Sequence, residues 1–138
     1  LVGDLLKKLI SEALRKLVVI SSVFLIFSGL VLAYPKIFPW AEESSAIFLL
    51  HIWAGLFFLV IFPIYSWDHI KRHAKRPRKV SLLTSSGIIQ LITGFGLIIS
   101  GIPLLIFDNN VFELPKIIHL VLTFILPVSL ILHKFSKK

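Results

Sequence analysis

Cysteine is absent from the 138 residues, which excludes disulfides, iron-sulfur clusters, thiolate ligands and covalent haem attachment through Cys-x-x-Cys-His. Methionine is absent as well, so residues preceding Leu1 are expected in the full protein. Charge is scarce, at 16%, where an ordinary soluble domain is about a quarter charged. With 57% hydrophobic residues and a mean hydropathy of +0.93, the chain does not have the composition of a water-soluble globule. Hydrolysis and phosphoryl transfer have no support, because the apolar stretches hold no nucleophile elbow, phosphate loop or carboxylate pair.

What is present is apolar length. Four stretches of 18 residues or more, at about 17–34, 46–67, 80–107 and 114–133, carry no Asp, Glu, Lys or Arg between their ends except Lys116. Each is long enough to cross about 30 Å of hydrocarbon as an α-helix. The expectation is an all-α integral membrane four-helix bundle running up-down-up-down, a single membrane domain over 1–138 with short connections. Residues 3–16 set Leu5, Leu6, Leu9, Ile10, Ala13 and Leu14 on a stripe opposite Lys7, Lys8 and Glu12, so an interfacial amphipathic helix is expected ahead of the first span. Its span is read as retained, since Ala33-Tyr34-Pro35 lacks the small-residue pattern of a signal-peptide cleavage site.

The basic residues are distributed unevenly. Four lie before the first span (Lys7, Lys8, Arg15, Lys16), six between Lys71 and Lys79, and three after the last (Lys134, Lys137, Lys138), leaving Lys36 and Lys116 on the opposite side. The positive-inside rule then puts both termini and the Lys71–Lys79 loop in the cytoplasm, the membrane being the cell's inner one. In a soluble protein a net charge of +8 would point to nucleic acid. Here it follows the topology, with anionic lipid headgroups as neighbours. Trp40, Trp53 and Trp67, with Tyr34 and Tyr65, read as an aromatic belt. Pro35, Pro39, Glu42 and Glu43 mark an outer loop, Pro77 the basic loop and Asp108-Asn109-Asn110 a second outer loop.

The histidines carry the chemistry. In a four-span chain with cytoplasmic termini, spans two and four both run inward, so His51 and His119 enter near the external face while His69 or His73 and His133 close the spans near the cytoplasm. From His119 to His133 is 14 residues, leaving the two about 40° apart on one face with a rise of about 21 Å. His51 and His69 also share a stripe but lie about 27 Å apart, a mismatch of about 6 Å that the Pro63 kink or helix tilt has to absorb. Two imidazoles at each of two depths suit bis-histidine b-type haem held between helices, and with neither Cys nor Met present histidine is the only customary axial ligand. Zinc would want more ligands close together, and no carboxylate lies inside the spans to join the histidines. For His73, among Lys71, Arg72 and Lys75, an ordinary polar helix end is the better reading; it is the substitute for His69.

The segment His51-Ile-Trp-Ala-Gly55 resembles the His-x-x-x-Gly start of the second span in the membrane cytochrome b (gamma) subunits of formate dehydrogenases. The His119 to His133 spacing, closed by His133-Lys-Phe, is similar to their fourth-span pair. The wider group includes the cytochrome b subunits of nickel-iron hydrogenases and small di-haem cytochromes b. The resemblance covers the four spans but rests on four or five residues. It implies two b haems, ligated by His51 with His119 and by His69 with His133, and electron transfer between the quinone pool and other subunits of a membrane redox complex. Those families take a cytoplasmic-side ligand from the first span, which here has no histidine, so His69 has to substitute.

Around these residues, Lys36 and Lys116 outside and Lys71, Arg72 and Lys134 inside are candidates to meet haem propionates. Asp68 is a candidate partner for His69 or a proton acceptor from quinol, and Gln90 either bonds a ligand edge or joins two helices. Gly87, Gly94 and Gly101, with Gly96, Ser85 and Ser86 in the third span and Ser21, Ser22, Ser28 and Gly29 in the first, let a helix or a porphyrin face approach closely. Two other classes of function stay open: a haem-free membrane anchor or assembly subunit, and a self-sufficient oxidoreductase acting on quinone or superoxide.

Overall fold

The computed structural model describes residues 2–42, 45–73, 82–107 and 113–135. The elements within them are all helices: α1 (Val2–Ala33), the single turn α2 (Pro39–Glu42), α3 (Ser45–His73), α4 (Leu82–Ile106) and α5 (Glu113–Phe135). By length and composition α1, α3, α4 and α5 can each cross a membrane, so this is a multi-pass membrane protein. The expected loop features Glu43, Lys75 to Lys79 with Pro77, Asp108-Asn109-Asn110, and the terminal Lys137 and Lys138 lie outside the described residues.

α1 differs from the expectation of a separate interfacial helix followed by a span. It is one uninterrupted helix of 32 residues, because no glycine or proline stands between Asp4 and Ser28 to break it. At 1.5 Å per residue it is about 48 Å long, more than the hydrocarbon thickness, and its first turns carry Lys7, Lys8 and the Glu12 pairs with Arg15 (3.7 Å) and Lys16 (4.0 Å). The helix ends ahead of Pro35, and the chain turns through backbone bonds from Ile37 and Phe38 to the Tyr34 carbonyl before Pro39 opens α2 at a position that needs no N–H donor. Pro63, Pro103 and Pro127 lie inside α3, α4 and α5.

The chain divides into two compact units, α1 to α3 and α4 with α5. In the first, α1 packs along α3 with Val18, Val31, Phe58, Ile61 and Phe62 buried, the Phe58 and Phe62 rings stacked at 4.9 Å. In the second, the buried positions are mostly small or hydroxylated: Ser86, Thr93, Gly94, Ser100, Thr123, Leu126 and Ser129. Here α4 and α5 approach so closely that a Cβ on Gly96 would sit 2.6 Å from Leu122 Cδ1. The two helices are antiparallel, since facing residues fall on one as they rise on the other: Ser86 with His133, Gln90 with Ser129, Ser100 with His119.

The outward faces are apolar in both units. Ile20 and Phe27 on α1, Trp53 and Val60 on α3, Ile92 and Ile99 on α4 and Val128 on α5 are all more than half exposed. Large side chains outside and small polar ones inside is the distribution expected when lipid is the solvent, because apolar contact with lipid costs nothing and helices gain by close backbone approach and interhelical bonds.

Candidate functional site

The chain contains three Ser-Gly dipeptides, Ser28-Gly29, Ser86-Gly87 and Ser100-Gly101, and each receives one histidine ring from the neighbouring helix. Ser28 on α1 stands 2.7 Å from His51 Nδ1 on α3. Ser100 on α4 stands 3.0 Å from His119 Nδ1 on α5, and Ser86 stands 3.1 Å from His133 Nδ1. The glycine after each serine makes room for the ring: a Cβ there would lie 3.2 Å from His51 Cε1, 3.3 Å from His119 Cε1 and 3.5 Å from His133 Cε1. His51, His119 and His133 are all half-buried.

The repeat in the second unit follows from helix arithmetic. Ser86 and Ser100 are 14 residues apart, as are His119 and His133, so one antiparallel register brings both serines to both rings. The two clamps then sit about 21 Å apart along the hairpin.

The inner end of α3 is built differently. His69 packs ring to ring with Tyr65, centroids 5.6 Å apart. Tyr65, not His69, occupies the position 14 residues after His51, so His69 lies one turn beyond the register that serves His133 in α5. Asp68 holds Arg72 in an ion pair of 2.7 Å, and the Lys71 ammonium lies 4.7 Å over the Trp67 ring. Arg72 and Lys71 therefore both have partners on their own helix. His73 is the last residue of α3. Lys36, Lys116 and Lys134 are exposed.

Thus the histidines expected from the sequence fall two in each unit, His51 and His69 on α3, His119 and His133 on α5. Sequence reasoning passed over Ser100 and took Ser28 and Ser86 for packing residues. The signal was available in the three Ser-Gly dipeptides, two of them at the same spacing as the two histidines of α5.

Gln90 is a helix-joining residue in this structure, its Nε2 donating to the Ser129 carbonyl at 3.0 Å. Such bonds in membrane proteins average about 0.6 kcal/mol. We expect Gln90→Leu to lower the thermal stability of the detergent-solubilised chain slightly while leaving helix content unchanged; a melting temperature equal to the parent's would show that the bond to Ser129 contributes nothing.

No protein-family model, curated protein or solved structure matches this chain.

Proposed function

We propose that this chain is a b-type di-haem cytochrome subunit, moving electrons across the inner cell membrane between the quinone pool and a redox partner. In this reading His51 and His119 would hold the outer haem, and His69 and His133 the inner one, with both termini cytoplasmic. The observation that carries it is the set of three Ser-Gly clamps on His51, His119 and His133.

The donor chemistry fits the group. An iron-ligating imidazole needs one nitrogen held by a hydrogen bond and the other turned outward with its lone pair. Each clamp brings Nδ1 to the serine hydroxyl and Cε1 to the glycine, and in His133 and His119 Nε2 lies beyond 4 Å from the Cβ positions of Gly87 and Gly101. Bound haem would supply one-electron chemistry at iron; the protein supplies orientation, a low-dielectric surround and tuning of potential. Apolar helix surfaces keep water from these positions, and the basic residues at the inner ends favour anionic propionates and lipid headgroups. His69 is the ligand with the least support from the structure, since its neighbour is Tyr65 and the chain has no fourth Ser-Gly dipeptide.

The test is electron transfer through a closed membrane. With the haem-loaded chain in vesicles holding trapped ferricyanide, external dithionite should bleach the ferricyanide, and vesicles with the chain lacking haem should stay coloured. Equal rates with and without haem would contradict the proposal.

A further inference from the structure

Each of the three serines has a single hydroxyl proton, and in each the structure gives that proton an acceptor on the serine's own helix. Ser28 donates to the Phe24 carbonyl at 2.8 Å, Ser100 to the Gly96 carbonyl at 2.7 Å and Ser86 to the Leu83 carbonyl at 3.1 Å. A hydroxyl that has spent its proton can offer only a lone pair to a second partner. The imidazole nitrogen facing it must then be the donor. In a neutral imidazole a protonated Nδ1 leaves the lone pair on Nε2.

We infer that Ser28, Ser86 and Ser100 are positioning residues that fix His51, His133 and His119 as Nδ1–H tautomers, so that all three imidazoles present Nε2 as the ligating atom. The role of that lone pair toward iron rests on the haem reading; the tautomer does not. The three relays have the same construction: helix carbonyl, serine hydroxyl, imidazole Nδ1, with a glycine beside the serine that leaves room for the ring's Cε1. In two of them the carbonyl belongs to the residue four positions before the serine, and in the third three before. The hydrogen bond also pushes electron density into the ring and stiffens its rotation, both of which favour metal binding at Nε2. His69 receives no such setting from a Ser-Gly pair, which separates the inner ligand of α3 from the other three.

The experiment uses the 15N-histidine-labelled full chain in detergent, first without haem. Long-range proton–nitrogen correlation spectra should show protonated Nδ1 and unprotonated Nε2 for His51, His119 and His133. Ser100→Ala should let His119 populate the other tautomer, and Ser100→Thr, which keeps the hydroxyl, should restore it. Ser129→Ala is the control, because it removes an equally buried hydroxyl that bonds the Leu126 carbonyl, and it should leave every histidine unchanged. Titration with hemin should then weaken about 10- to 100-fold in Ser100→Ala and recover in Ser100→Thr. Protonated Nε2 in the parent chain, or a His119 tautomer indifferent to Ser100→Ala, would overturn the inference. Because the tautomer is read without haem, protonated Nδ1 in a chain that takes up no hemin would uphold the serine assignment and defeat the haem reading alone.

Discussion

Replacing His119 by alanine should remove the outer haem altogether, lowering the haem count of the purified chain from two to one at most. On the proposed ligation His51→Ala should give the same result, because the outer haem would lose one of its two imidazoles with either ring. On that proposal the expected loss is all-or-none rather than graded, since the imidazole would be the protein's coordinate bond to the iron and no Cys or Met stands in for it. Pyridine haemochrome assay on the two variants checks this. A full complement of haem in both would mean that these histidines are structural. His73→Ala, changing the last residue of α3, should leave the count as it is.

The second large effect is expected at Gly55, one turn along α3 from His51 and on the same stripe. A Cβ at Gly55 would meet nothing within 4 Å, unlike the glycines of the three clamps. Glycine inside a helix costs about 1 kcal/mol relative to alanine, and the protein's own packing gives no return for it here. A flat macrocycle lying against α3 beside His51 would need that space. Gly55→Leu should therefore leave the chain folded, with unchanged helix content and elution volume, yet abolish the outer haem. If Gly55→Leu binds haem as the parent chain does, the open face beside His51 is ordinary lipid-facing surface.

The four membrane-length helices were legible in the sequence because hydrophobic length is a direct physical requirement for crossing a bilayer. The start of α1 was not, since a stripe of Leu5, Leu6, Leu9 and Ile10 opposite lysines has the same pattern whether the helix lies on the membrane or runs on into it. Only the lack of a helix breaker between Asp4 and Ser28 argued for continuity. His51, His119 and His133 stood out because a titratable side chain within a span is expensive. Their serine partners did not, because a hydroxyl in a membrane helix reads as packing, and its acceptor role depends on the register between two helices. That register is a tertiary fact: Ser28 lies 23 residues from His51, and Ser86 lies 47 from His133. The 6 Å mismatch at His69, read from helix rise alone, has its counterpart in Tyr65 standing where the repeat would have placed a histidine.

The most direct measurement is the haem content and reduced-minus-oxidised visible spectrum of the intact chain, expressed with ample haem and purified in mild detergent. The account predicts a b-type spectrum with two haems per polypeptide. A chain that folds, inserts and carries no haem would contradict it and leave the three serine-clamped histidines as parts of a haem-free membrane anchor.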